Sequence, residues 1–158
     1  MKRLGLVLAM LILSLFVLSS FALAQHGHGA MKGEGMKMET KDVLVEGVKV
    51  SFVVMSNESH KKMLKDMKMK EDIEPGTTHN ITVTLKDGKT QKEITDAQIT
   101  MKVVHPKGKD QIKSMKFEGE MKSYDAYFNL PEKGKYQVMI LFKTGDQKRT
   151  AGIYYEMK

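Results

Sequence analysis

From residue 48 to its end the chain is built of short apolar runs with a period of two. Val48, Val50, Phe52 and Val54 form the first, and Ile81, Val83 and Leu85 the second. Ala97, Ile99, Met101 and Val103 follow, then Tyr124, Ala126, Phe128 and Leu130, then Tyr136, Val138, Ile140 and Phe142, and last Ala151, Ile153, Tyr155 and Met157. Side chains of a strand point alternately to its two faces, so each run can bury one face of a sheet and no helix can be drawn through it. Between the runs stand "KDGK", "HPKGKD", "LPEKGK" and "KTGDQK", whose Gly, Pro and Asp supply turn conformations. Residues 110–121 hold a weaker strand or pair of strands, with Met115 and Phe117 on one side. Six or seven short strands joined by short turns predict an all-β fold, an immunoglobulin-like antiparallel β-sandwich over residues 42–158. The chain has no cysteine, so packing alone must hold the two sheets together. "EKGKY", residues 132–136, has the spacing of a tyrosine corner, in which the Tyr hydroxyl bonds back to nearby backbone; an ordinary core tyrosine after a turn would read the same way.

The first 24 residues carry a different signal. Lys2 and Arg3 precede the apolar run Leu4–Leu18, and Ala22-Leu23-Ala24 offers small residues at a cleavage site. This is the pattern of a signal peptide, residues 1–24, and it places the mature chain in the periplasm or outside the cell. An uncleaved anchor would need residues 4–24 to span a bilayer, for which they are barely long enough. With cleavage no integral membrane segment remains. The mature chain would have 134 residues (158 − 24), and removal of Lys2 and Arg3 lowers the formal net charge from +7 to +5. The charges are of mixed sign and no basic stripe carries aromatics, which argues against nucleic acid as a partner. Residues 25–41, "QHGHGAMKGEGMKMETK", have no period and too few large apolar side chains to bury a face, and read as a disordered His/Met/Gly-rich tail.

The segment "HKKMLKDMKMK", residues 60–70, interrupts the strands. It lies in a connection of about twenty residues between the strand ending near Met55 and the strand beginning near Thr78, and connections of that length usually have structure or function of their own. Drawn as a short Met-rich helix, it sets His60, Met63, Leu64 and Met67 on one face. Ser56, Asn57 or Ser59 could cap it, and Pro75-Gly76 ends the segment. Strand direction brings His60, Met63, Met67, Met69, His79 and His105 to one end of the sandwich, with the tail entering at the other. Thioethers and imidazoles are soft to intermediate ligands that suit copper, Cu(I) above all. His60, Met63, Met67, His79 and His105 are therefore the candidate metal ligands, and the tail adds His26, His28, Met31, Met36 and Met38. The same residues have a plainer explanation. A Met/Leu stripe at helical spacing packs well on a core, and His-rich tracts bind metals adventitiously. The sequence has no cysteine, no recognisable nucleophile–base arrangement and no phosphate loop, so an enzyme is not expected.

"THNITVTLKDG", "DAQITMKVVHPKGKDQ" and "YDAYFNLPEKGKYQVMILFKTGDQ" resemble the YtkA-like group of small exported bacterial domains, related to FixH-like domains. The resemblance covers roughly residues 78–157 and rests on strand and turn patterns. It implies an immunoglobulin-like sandwich outside the cytoplasmic membrane, in systems that handle metals or serve cytochrome oxidase. It transfers no catalytic residue. CopC-like copper carriers share the architecture and use an N-terminal histidine as ligand, from which this chain departs. The favoured cleavage puts Gln25 first, and only a cut after Gln25, with Leu23 and Gln25 at the specificity positions, would expose His26. Two functions remain open: an exported domain that binds or carries copper, and an interaction or assembly module for a protein partner with a Met-rich docking surface and no metal.

Overall fold

The computed structural model describes residues 38–158, so the expected signal peptide, residues 1–24, and most of the expected tail lie outside the described residues. Nine strands and one helix follow in the order β1 (Glu39–Val45), β2 (Val48–Ser56), α1 (Asn57–Asp66), β3 (His79–Asp87), β4 (Gln98–Val104), β5 (Gln111–Ser114), β6 (Lys116–Glu118), β7 (Ser123–Phe128), β8 (Gly134–Thr144) and β9 (Gln147–Met157). They form two antiparallel sheets, β1-β2-β3-β7-β6 and β5-β4-β8-β9. The inward set of the sandwich is the one the alternation predicts. Phe52, Val83, Met101, Phe128, Tyr136, Val138 and Phe142 are fully buried in one continuous core.

The weak stretch around residue 115 is where the chain changes sheets. β5 pairs with β4 and β6 pairs with β7. Between them buried Met115 donates its backbone N–H to the Ile99 carbonyl at 2.9 Å. On the opposite side, Arg149 of β9 reaches Glu46 at the end of β1 at 3.1 Å, and the Lys41 ammonium meets the Tyr154 carbonyl. Both edges of the sandwich are thus tied. The tyrosine corner is present. Tyr136 Oη donates to the Glu132 carbonyl at 2.9 Å and accepts from the Glu132 N–H at 3.3 Å.

Two features differ from the sequence reading. A strand, β1, precedes the one taken as first, and it begins at Glu39, inside the segment assigned to the tail. It pairs along its whole length with β2, from Glu39 opposite Val54 to Val45 opposite Val48. The two-residue turn between them is Glu46-Gly47, with φ of 45° and 79°. Positive φ at both central residues makes it a type I′ turn, whose twist matches a hairpin. The hairpin reverses the chain. Residue 38 therefore enters beside the end of β2, at the end of the sandwich where α1 begins and not at the opposite end. The Met-rich helix accordingly occupies the second connection, not the first.

The second difference is where α1 lies. Ser56 caps the helix, its Oγ accepting the Ser59 N–H at 3.1 Å. At the other end Lys68 takes φ 57°, Lys68 N–H bonds the Lys65 carbonyl and Met69 N–H bonds the Leu64 carbonyl, which together make a Schellman stop. The helix ends at Asp66, and Met67, beyond its last turn, is half exposed. α1 covers the outer face of the five-stranded sheet instead of lidding the open end of the sandwich. The cause is visible in the outward-pointing residues of β2, β3 and β7. Met55, Asn80 and Tyr127 stand in one cross-strand row on that outer face, and all three are buried. They lie on β2, β3 and β7, and α1 packs over the first two of these strands with Leu64 buried. Replacing Ser56 with Ala should lower stability by about 1 kcal/mol, the usual worth of a helix N-cap. A denaturation midpoint equal to that of the parent would show that tertiary contacts hold α1 without it.

Candidate functional site

Six residues bring their polar atoms to the outer face beneath α1 and the loop that follows it. His60, on the first turn and a half of α1, is 1% exposed. Its Nδ1 lies 3.0 Å from Tyr127 Oη, and Tyr127 Oη lies 2.9 Å from Asp72 Oδ1. The protons along this chain can be assigned. A carboxylate only accepts, so the single Tyr127 hydroxyl proton goes to Asp72, and Tyr127 Oη accepts from His60 Nδ1–H. Burial raises the Tyr127 pKa, and the bond to Asp72 raises it further, so the phenol keeps its proton. Burial lowers the His60 pKa, against a smaller opposing pull from Asp72, so the ring is neutral at pH 7. The proton of that neutral ring is on Nδ1. Nε2 is a bare lone pair, buried, with no hydrogen-bond partner among the described residues.

Beside this relay, Thr82 Oγ1 donates to Asn80 Oδ1 at 2.8 Å and Asn80 Nδ2 donates to Asp125 Oδ2 at 3.1 Å. Asp125 is buried, and its pKa is pushed up to about 6. Desolvation is the main cause. Glu118 and Asp72 add to it, while the Asn80 hydrogen bond and Lys116 oppose it. The loop from Met67 to Thr78 is fastened over this face. Lys113 holds Glu74 at 2.7 Å, Lys61 holds Glu71 at 3.1 Å, and Asn57 Nδ2 donates to the Thr77 carbonyl at 3.0 Å.

The other two candidate histidines are at the same end of the fold but in different surroundings. His79 is in phase with Ile81 and so points between the sheets, where its ring meets the edge of Tyr155 at 6.1 Å. Tyr127 and Asn80 are out of phase with that inward set, so the five-stranded sheet itself separates His60 from His79. Burial lowers the His79 pKa as well. His105 closes the β4–β5 turn. Its Nδ1 accepts the backbone N–H of Lys107 at 3.0 Å and of Gly108 at 2.5 Å, and its ring stands against Tyr136 at 5.2 Å. A Cβ on Gly108 would lie 2.8 Å from that nitrogen, so the close approach needs glycine. His105 Nδ1 is thereby committed to the turn. Met63 is half-buried one helical turn after His60, and Met67 is turned out to solvent. His60, Met63, Met67, His79 and His105 therefore do not face one point. Among the described residues no three His, Cys, Asp or Glu side chains are grouped to hold a metal ion. Of the tail candidates, His26, His28, Met31 and Met36 lie outside the described residues, and Met38, half-buried, immediately precedes β1.

Sequence reasoning did not find Asp72, Asn80, Asp125 or Tyr127. One signal was available. "SYDAYF" has large or apolar residues in both phases, and every residue of β7 is buried, the mark of a strand covered on both faces.

No protein-family model matches the chain, and no curated protein sequence matches it. The YtkA-like or FixH-like family is therefore not supported, and what remains is a distant likeness of fold to solved structures. Among solved structures the chain is similar to FetP of uropathogenic E. coli strain F11, expressed in the periplasm of E. coli. The TM-score is 0.56 at 10% identity, over 78% of this chain and 97% of that one. A copper-bound single-residue variant of FetP gives the same TM-score and identity over 77% and 97%. At that identity the likeness concerns the fold. No helix among the described residues is long and apolar enough to cross a membrane.

Proposed function

We propose that this chain is an exported, non-enzymatic β-sandwich domain that binds copper, with His60 Nε2 as its nitrogen ligand. The observation that carries the reading is the buried, unprotonated and unpartnered Nε2. An unsatisfied buried polar atom is costly and calls for an explanation, of which a bound ion is one. The relay behind it is the kind that prepares a metal ligand. A second-shell hydrogen bond to the other ring nitrogen fixes the tautomer, orients the ring and raises its basicity. Tyr127 does this for His60, and Asp72 does it for Tyr127. An imidazole nitrogen suits copper better than a hard cation, and the nearby Asp72 carboxylate is committed to the Tyr127 hydroxyl. The signal-like leader and the fold shared with a periplasmically expressed, copper-binding protein support export and the metal.

The test is Cu(I) affinity of the mature, untagged chain, measured anaerobically by competition with a chromophoric chelator. His60→Ala should weaken binding by roughly 100-fold or more, and Tyr127→Phe by about 10–100-fold, the range for losing a partner of a metal-bound histidine. Tyr127→Phe keeps the ring and its packing, so its loss would not report unfolding. His79→Asn and His105→Asn should leave the affinity unchanged. A His60→Ala protein that binds copper as tightly as the parent would sink the proposal. The alternative, an assembly module without metal, then becomes the better reading. Met67, just beyond α1, would be its exposed apolar contact.

A further inference from the structure

The copper reading, on which this inference rests, leaves the rest of the coordination sphere unassigned: among the described residues no three His, Cys, Asp or Glu side chains are grouped to hold a metal ion, and the nearby Asp72 is committed to Tyr127. The hairpin supplies donors of another kind at that place. On the outer face of the five-stranded sheet, the row that ends at Tyr127 runs back through Asn80 to Met55. Met55 is 3% exposed although it is out of phase with the core, so what buries it is the cover on the outer face. α1 packs on β2 and β3, the strands that carry Met55 and Asn80. His60 Nδ1 lies 3.0 Å from Tyr127 Oη, so the ring sits on this same outer face. One strand further out, β1 pairs Glu39 with Val54. Continuing that register by one residue sets half-buried Met38 across from Met55. The hairpin thus lines two methionines along the row on which His60 sits, from the side opposite Tyr127.

We propose that Met55 and Met38 supply thioether ligands to the ion bound by His60 Nε2, making an N,S site selective for Cu(I) at the junction of the β1–β2 hairpin with α1. Thioether sulfur binds the cuprous ion in preference to Cu(II), Zn(II) and other harder divalent ions. Strand spacing agrees with this arrangement. Neighbouring strands lie about 4.8 Å apart, so the row from Met55 to Tyr127 spans roughly 10 Å, a gap that an imidazole and a flexible Met side chain fill together. The chemistry also suits an exported protein, where a thiol ligand would be lost to oxidation and a thioether survives milder conditions.

The experiment uses the full mature chain. Cu(I) affinity is measured by competition for the parent, Met55→Leu, Met38→Leu, Met67→Leu and His60→Ala, and sulfur scatterers about bound copper are counted by X-ray absorption. Leu conserves the volume of Met, so the variants should fold. Met55→Leu is expected to weaken Cu(I) binding by at least 10-fold and to lower the sulfur count by one. Met38→Leu should do the same, and Met67→Leu should change neither. NMR of methionines labelled with ¹³C at the methyl group should show the Met38 and Met55 signals shifting together at one equivalent of Cu(I). If His60→Ala weakens binding but both hairpin variants bind like the parent, this inference is wrong and the copper reading stands. If His60→Ala binds like the parent, both fall. A loss confined to His26→Asn, His28→Asn or Met31→Leu would place the ion in the tail and overturn both.

Discussion

Phe128→Ala should destabilise the protein by about 3–5 kcal/mol, the usual cost of emptying an aromatic core site. Phe128 ends β7, opposite His79 in register, and is fully buried. Its ring lies on the inner face between the sheets, in the same cluster as Leu130 and Tyr136. Removing it takes a large apolar group out of the core and leaves a void that strands paired on both edges cannot close by moving together. With no disulfide in the chain, nothing covalent limits the loss. A single domain has only about 5–15 kcal/mol in total, so the variant should be marginal at 37 °C. Urea denaturation checks this. A midpoint equal to that of the parent would mean that the inner face has been assigned wrongly.

Asp125→Asn should have the opposite effect at neutral pH and none in acid. The folded-state pKa of about 6 lies above the value near 3.8 of an unburied aspartate. Between those values the folded protein holds a proton that the unfolded chain has lost. Stability attributable to Asp125 therefore falls as pH rises from about 4 to about 6, and the full penalty is present at pH 7. A shift of about two units corresponds to roughly 3 kcal/mol. Asn has the same shape, still accepts the Asn80 hydrogen bond through its carbonyl oxygen, and carries no charge. Asp125→Asn should thus be more stable than the parent by roughly 2–3 kcal/mol at pH 7, with the difference vanishing towards pH 4. His60 and His79 act in the other direction. Their pKa values are lowered by burial, so stability due to them falls as pH drops below about 6.5, where the unfolded histidines take up protons. Comparing parent and variant at each pH cancels that contribution. A pH-independent difference would show that Asp125 is not the group that titrates.

The legible part was local. Helical spacing gave a short helix with His60 and Leu64 on one side, and of the three caps it offered, Ser56, Asn57 and Ser59, the structure uses Ser56. The arrangement was not legible, because it depends on strand phase in three dimensions. His79 and Asn80 are neighbours in sequence and lie on opposite sides of a sheet. The first joins Tyr155 inside the sandwich, and the second separates Met55 from Tyr127 outside it. Spacing alone could bring His60, His79 and His105 to one end of the fold, but not say that a sheet stands between the first two.

By itself the sequence determined the sandwich. A period of two, repeated in six runs and punctuated by Gly, Pro and Asp, admits one way to bury those side chains, and the inner face it names is the one observed from Val48 to Ile153. Only the tertiary structure decided the direction from which the chain enters and the face that α1 covers. The first turned on Glu46-Gly47, two residues whose positive φ values fold β1 back on β2 as a hairpin. The second turned on Met55 and Tyr127, whose apolar surface faces away from the core and had to be covered by something. Local periodicity records how much surface a strand must bury on each side. Which element buries it is settled by competition among all the elements within reach, and that sum is made only in the folded chain.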